Sequence, residues 1–304
     1  MKTLRNLFVL TFVLFVSIIS HAQINIEVDE LEANMSKGLQ PAFVVEIPQA
    51  EDDVVIKTWS KYIRVDTKSK VRNEGEEIFI LGTNIEKIHK GPINIYSYVF
   101  KKDSTEKLVA FFEIDSVFFS KDEASNSIEN EKTYHGIKNF VRDFALGKYR
   151  EAVALELKAE QKKLKDLTHD LEKLEKDNVS YQKEIKGKEQ DILNAESEIG
   201  SMETAKTRMS EEIENQKLKV SSLSEDVVLQ DMAKKKLKEQ EKGKKGISKD
   251  IGKKQKNIVS YQSNIKEFNR LIEDNQEKQE AKLKEIEGQE DVIEKVTSKL
   301  QGIK

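Results

Sequence analysis

Four histidines, no cysteine and one dense run of lysines are the raw material for any chemistry in this 304-residue sequence. His89, His135 and His169 lie beyond the first 22 residues, and no two of them have metal-ligand spacing. None neighbours a serine or carboxylate arrangement of a catalytic kind. The absence of cysteine excludes a thiolate metal site, a cysteine nucleophile, a disulfide framework and a lipid-bearing cysteine behind a leader. Glu51, Asp52 and Asp53 form a carboxylate cluster, but they sit where a helix N-terminus favours negative charge. No catalytic, metal or cofactor site is assigned, and the chain is read as not an enzyme.

The lysines are the more informative group. Between Lys234 and Lys256 there are eleven of them, against Glu239, Glu241 and Asp250. The plain reading is a solvated turn and helix face. The sharper reading makes Lys242, Lys244, Lys245, Lys249, Lys253 and Lys254 candidate contacts for an anionic envelope polymer, lipid headgroups or nucleic acid. No aromatic residue interleaves the run, so base stacking is unsupported. A net charge of −3 gives no whole-chain argument for nucleic acid. "GKKG" at Gly243 to Gly246 resembles the loop of KH modules but lacks their strands, and the P-loop pattern does not occur.

Aromatic residues supply the other candidate surface. Tyr96, Tyr98, Phe100, Phe111, Phe112, Phe118 and Phe119 fall in strand-like segments, where adjacent side chains point to opposite faces. Some must therefore lie away from a one-sided core, against a ligand, the closing helix or a partner.

The elements that position these residues divide the chain. All three prolines and the single tryptophan lie in the first third. Residues 1–22 read as an export signal: Lys2 and Arg5, then the short apolar run Leu7 to Ile19, then Ser20-His21-Ala22. The expected destination is the periplasm or cell surface of a Gram-negative bacterium. Residues 23–149 read as an α+β head. Ala42–Ile47 alternates as a half-buried strand. Glu51 onward begins a helix with Val55, Trp59, Tyr62 and Ile63 on one face. Glu76–Leu81 is a strand, and Ile93–Phe100 with Lys107–Ile114 form a hairpin. A polar linker, residues 120–130, leads to a closing helix with Ile137, Phe140, Val141 and Phe144 inward. The expected order is β-α-β-β-β-α, an antiparallel sheet with a packed helix, followed by a long all-α coiled-coil arm.

Heptads govern the rest. With Leu164 at a, the seam of a first helix (150–242) includes Leu171, Asn178, Tyr181, Ile185, Ile192, Ile199, Ile213 and Val220, and the frame extends to Val227. A second frame, in a helix over 253–304 whose seam row opens at Ile251, runs through Ile258, Tyr261, Ile265, Phe268 and Ile272. Gly243, Gly246 and Gly252 each weaken a helix by roughly 1 kcal/mol, so 243–252 reads as a turn or hinge. Two geometries remain open, a helical hairpin and a straight rod that dimerises. The glycines favour the hairpin. With a turn near Gly246, the tail would reach back only to about Lys188.

"NVSYQKEIK" at Asn178 to Lys186 returns as "IVSYQSNIK" at Ile258 to Lys266, 80 residues later. Shared heptad positions alone would not reproduce Val-Ser-Tyr-Gln. An internal duplication that lengthened the arm is favoured over chance similarity between two Lys/Glu-rich coils.

Four segments carry a resemblance: "AFVVEIPQAEDDVVIKTWSKYI" from Ala42, "PINIYSYVF" from Pro92, "VRDFALGKYREAVALELKAEQKKLKDL" from Val141, and "EIEGQEDVIEKVTSKL" from Glu285. Together with the leader ending "SHAQ", they resemble uncharacterised secreted Bacteroidota proteins with a signal peptide, a small α+β head and a long C-terminal coiled coil. That resemblance implies an exported envelope protein and transfers no functional residue. The long middle coil departs from shorter relatives. The expected function is structural or interactive: a head that docks a partner and an arm for spacing or self-association. The alternative is a head that binds a small ligand or lipid.

Overall fold

The computed structural model describes residues 25–64, 68–102, 105–223 and 225–303. The expected leader, residues 1–22, lies outside them. The chain forms two compact units: residues 1–164 with 289–304, and residues 165–288.

The first unit is the head. Its strands are β1 (Val28–Met35), β2 (Gly38–Ile47), β3 (Arg72–Glu74), β4 (Glu77–Thr83), β5 (Ile93–Lys102), β6 (Thr105–Ile114) and β7 (Val117–Phe118). They form one sheet in the order β1-β2-β6-β5-β4-β3, with β7 also on β6. All pairings are antiparallel. Helix α1 (Asp52–Tyr62) follows β2, and the short α2 (Lys121–Ala124) follows β7.

This bears out the α+β head and adds pieces the sequence pattern hid. β1 was not expected, because Asp29, Glu30 and Glu32 break its apolar alternation. The polar linker carries α2, capped by the Ser120 hydroxyl accepting from the Glu123 amide at 3.3 Å.

One face of the sheet carries the core. Phe43, Val45 and Ile47 of β2, Ile93 and Ile95 of β5, and Leu108, Ala110, Phe112 and Ile114 of β6 pack there with α1 and the next helix. Val55, Trp59 and Ile63 of the α1 segment are fully buried. Trp59 Nε1 donates to the Ser97 hydroxyl at 2.8 Å, which in turn donates to the Ile78 carbonyl at 3.1 Å. A buried indole N–H needs such a partner. Asp52 and Asp53 occupy the first turn of α1, as the charge pattern implied.

Helix α3 runs unbroken over Ile128–Ser222, so the expected closing helix and first coil helix are one element. Its first part puts Ile137, Phe140, Val141 and Phe144 into the core, as expected, and continues with Tyr149 and Val153. A Cβ at Gly136 would lie 2.6 Å from the Lys87 carbonyl, so glycine lets α3 seat against that backbone. The end of helix α4 (Val227–Gly302) belongs to the same unit. Val296 and Ile303 join the core, and Arg150 donates to the Ile303 carbonyl at 3.1 Å. Lys299 bridges to Glu156 at 2.8 Å. The head boundary at 149 is therefore corrected: both chain regions flanking the hairpin complete the head.

The second unit is a two-helix antiparallel coiled coil. The turn lies between Ser222 and Val227, not at 243–252, and Gly243, Gly246 and Gly252 are all inside α4. Asp226 explains the position. Its carboxylate accepts from the amides of Val228 and Leu229, both at 3.1 Å, which caps α4. Ser221 and Ser222 bond back to the carbonyls of Leu218 and Lys219 as α3 ends. The first frame therefore stops short of Val227, which is exposed. The straight rod and the reach to Lys188 fall with it.

The seam itself follows the heptads. Leu171, Asn178, Tyr181, Ile185, Ile192, Ile199 and Val220 of α3 are half-buried and Ile213 is buried. Ile251 of α4 is buried, and Ile258, Tyr261, Ile265, Phe268 and Ile272 are half-buried. Leu164, at the edge of the first unit, is half-buried too. Tyr181 stacks on Phe268 with centroids 6.0 Å apart, and Lys188 lies 5.3 Å from the Tyr261 ring centroid. A shift of 80 residues converts the first pair into the second. The two copies of the repeat thus face each other across the seam, related by a local pseudo-two-fold through Ile185 and Ile265.

Candidate functional site

The face of the head sheet opposite the helices is the first candidate. Strand alternation sends Ala42 and Val44 of β2, Phe79 of β4, Tyr96 and Tyr98 of β5, and Val109 and Phe111 of β6 to that face. The rings form two groups within one apolar cluster. Phe79 and Tyr96 are 6.0 Å apart, Tyr96 and Phe118 6.0 Å, Tyr98 and Phe111 6.1 Å, and Tyr98 and Phe100 6.2 Å. Phe111 is fully buried there, while Leu31, Leu81 and Phe100 on the same face are 47%, 44% and 39% exposed. The cluster is thus solid at its centre, and its margin sets exposed apolar side chains beside charge: Phe100 stands opposite Lys107, which pairs with Glu46.

A polar clamp sits on it. Lys37, in the turn between β1 and β2, lies 4.6 Å from the Tyr96 centroid and 2.8 Å from Glu113. Asn94 and the Tyr96 hydroxyl also donate to Glu113, at 3.0 and 3.2 Å. Burial alone would raise the Glu113 carboxyl, but these donors outweigh it and hold it below the usual carboxylate value. Burial also pushes the Tyr98 hydroxyl up. A second link ties Ser36 to Glu77 at 2.7 Å. The sequence reading missed Lys37 and Glu113. The signal for Glu113 was its parity, outward between Phe112 and Ile114.

The expected aromatics are divided by this geometry. Phe112 and Phe119 belong to the helix-covered core, and Tyr96, Tyr98, Phe111 and Phe118 to the opposite face.

Two clefts also open on the head. One, about 370 Å³, is lined by Asn25 to Asp29 with His135, Lys138 and Arg142 of α3. Another, about 360 Å³, lies between α1 and α3 beside Lys61, Asp143, Lys148 and Glu151. Tyr62 borders it, pushed up to about 12 by burial and then by Asp143. Charged side chains line both, and Tyr62 and Phe144 add apolar surface to the second. His89 and His169 are in neither, and among the described residues no group of three His, Cys, Asp or Glu can hold a metal ion.

The lysine run lies on α4 in the hairpin. It does not form a turn, and the six expected anion contacts do not act as one group. Lys244 and Lys254 take seam positions, and Lys254 pairs with Glu198 of α3 at 2.5 Å. Lys253 pairs with Asp250 at 2.9 Å. Lys242, Lys245 and Lys249 are exposed on the outer side.

Comparison of the chain with protein-family models, curated proteins and solved structures finds no match. No helix among the described residues is long and apolar enough to cross a membrane.

Proposed function

We propose that this protein is a non-enzymatic interaction protein exported to the cell envelope, whose head docks a protein partner through the helix-free face of its sheet. The coiled-coil hairpin serves as a spacer or a self-association element. One observation carries the reading: a cluster of aromatic rings reaches the surface at Phe100, flanked by exposed Leu31 and Leu81. Aromatic side chains are enriched, and charges depleted, at the centres of protein interfaces. The leader-like pattern in residues 1–22 supports export.

Binding of a small ligand or lipid in the head is the less favoured reading. Phe111 fills the centre of the cluster, Lys37 lies across Tyr96, and the Tyr96 hydroxyl is engaged by Glu113.

The test is site-specific photo-crosslinking in cells. A photoreactive residue at Phe100 or Leu81 should give a discrete protein adduct, and one at Lys61, on the helix side, should not. Leu31→Glu should abolish the Phe100 adduct without changing the melt. Adducts of equal yield at Phe100 and Lys61 would refute the docking face.

A further inference from the structure

The unbroken course of α4 through the glycines turns the lysine run into a ladder. In the frame of Ile251, Lys235, Lys242, Lys249 and Lys256 all take the outermost heptad position, f. Lys238 and Lys245 stand beside them at b. All six are exposed. Successive f positions are about 10.5 Å apart, so the ladder extends ~31 Å along one helix. Glu239 is the one carboxylate on the outer b, c and f positions of this stretch.

Elsewhere in the hairpin, several lysines are paired within one helical turn, while Lys183, Lys186, Lys266 and Lys284 stand exposed. Lys173 pairs with Asp170, Lys176 with Glu172, Lys217 with Glu214 and Lys282 with Glu285. Among the described residues, the ion pairs between 234 and 256 are those of Lys253 and Lys254, and neither lysine is a member of the ladder. Six cations thus stand in line without a carboxylate at ion-pairing distance.

The glycines are a second, independent observation. Gly243 has an internal reason, since a Cβ there would lie 3.3 Å from the Met209 sulfur. Gly246 and Gly252 have none: a Cβ at either would meet nothing within 4 Å. Each costs the helix roughly 1 kcal/mol relative to alanine. Gly246, at c, is exposed among the lysines, and Gly252, at b, is half-buried. They strip the helix surface where something outside the hairpin can approach its backbone.

We propose that this face of α4 binds a flexible linear polyanion, such as a phosphate-bearing polymer, laid along the helix. The lysines would neutralise successive anionic groups, and Gly246 and Gly252 would let the polymer lie close. A line of charges one helix wide fits a single extended chain. The absence of apolar or aromatic side chains among the ladder residues makes the recognition electrostatic and insensitive to monomer sequence.

The experiment uses the full chain and fluorescently labelled long-chain inorganic polyphosphate, read by anisotropy across a salt series. Binding should be clear at about 50 mM salt and should weaken steeply toward about 200 mM. K235Q/K242Q/K249Q/K256Q should weaken it about tenfold or more and reduce the salt slope by about three. The equal-charge control K183Q/K186Q/K266Q/K284Q, at exposed sites off the ladder, should change it less than about twofold. G246L/G252L should weaken binding while the helical melt holds or rises. Equal losses in the two quadruple variants would overturn the proposal in favour of non-specific charge. Capture of phosphatidylglycerol vesicles without affinity for polyphosphate would overturn it in favour of a membrane surface.

Discussion

The head and the hairpin bury apolar surface in opposite ways. In the head, large side chains disappear completely: Trp59, Phe43, Phe111, Phe112 and Tyr149 are at most 1% exposed. In the hairpin, Ala195, Ile213, Ala233 and Ile251 are the buried apolar side chains among the described residues, and the rest of the seam is half-open. Two helices cannot enclose what lies between them, so every layer keeps a solvent edge. The hairpin compensates by length, with a small gain in each heptad. It also tolerates polar seam residues: Asn178 Oδ1, Asn275 Nδ2, Gln240 Oε1 and Gln279 Nε2 are buried without hydrogen-bond partners among the described residues. Such layers favour a unique register over maximal stability. The difference teaches where each unit is fragile. The head should fail as a whole from one deletion, whereas the hairpin should yield locally and gradually.

The sharpest way to break the contrast is Phe112→Ala. Phe112 is fully buried, with Phe43 edge-on at 5.8 Å and Phe140 at 6.5 Å. Truncation should cost the head ~3–5 kcal/mol. Trp59, the single tryptophan, reports it by fluorescence, while the helical signal at 222 nm should keep its main transition. Coincident loss of both signals would mean that the two units melt as one.

Next come Ile185→Asp and Ile265→Asp, the two residues on the pseudo-two-fold. Each puts a carboxylate into the half-buried seam and should cost about 2 kcal/mol, seen at 222 nm and not by Trp59. Because the repeat makes their surroundings alike, the two losses should agree to within about 0.5 kcal/mol. Lys183→Asp, at an exposed position, should stay within ~0.5 kcal/mol of the parent. A large gap between the two isoleucine variants would show that the repeat matches in sequence and not in packing.

Smaller still, and of opposite sign, is Gly246→Ala. With open space around its Cβ, the change should raise hairpin stability by up to ~1 kcal/mol. No such gain is available at Gly136, where the Lys87 carbonyl blocks a Cβ. There the same substitution should destabilise the head.

These contrasts also explain how far the sequence could be read. The strands β2, β4, β5 and β6, helix α1 and both heptad frames were legible, because alternation and heptads are local patterns carried by residues such as Phe43, Trp59 and Ile185. The turn was not. Three glycines within ten residues read as a turn, yet Asp226 caps a helix and the glycines merely weaken one. The seam on both sides of Gly246, from Leu237 through Ile247 to Ile258, holds α4 together across them. The docking face was half legible. Parity showed that some aromatics must leave the core, but not that Lys37 and Glu113, 76 residues apart in the chain, meet on them. Nor could heptads tell that Val296 and Ile303 close the core of the head.

The smallest expected effect tests whether the head is as completely satisfied as its packing suggests. Glu106 of β6 is 1% exposed, and neither carboxylate oxygen has a hydrogen-bond partner among the described residues. Lys101 Nζ stands 3.4 Å away, but that lysine is 59% exposed and its charge is screened. Burial, and then the Asp52 carboxyl at the start of α1, raise the Glu106 carboxyl above its ordinary value, more than Lys101 lowers it. The folded head therefore holds this proton more tightly than the unfolded chain does. By linkage, stability falls as pH rises from the ordinary carboxylate value through the raised one, and is regained on acidification across the same window. Glu113 runs the other way. Its lowered value contributes stability that is present at neutral pH and lost as pH drops through it. Glu106→Gln keeps the shape and removes the buried charge. It should raise head stability at neutral pH by ~1 kcal/mol or less, since a buried pair is often matched by a neutral substitute. It should also remove the part of the pH dependence that lies above the ordinary carboxylate range. Trp59-monitored melts from pH 4 to pH 8 measure both. A variant less stable than the parent at pH 8 would show that the Lys101 pairing outweighs the cost of burying Glu106, and that the head has no polar weak point of the kind the hairpin carries in its seam.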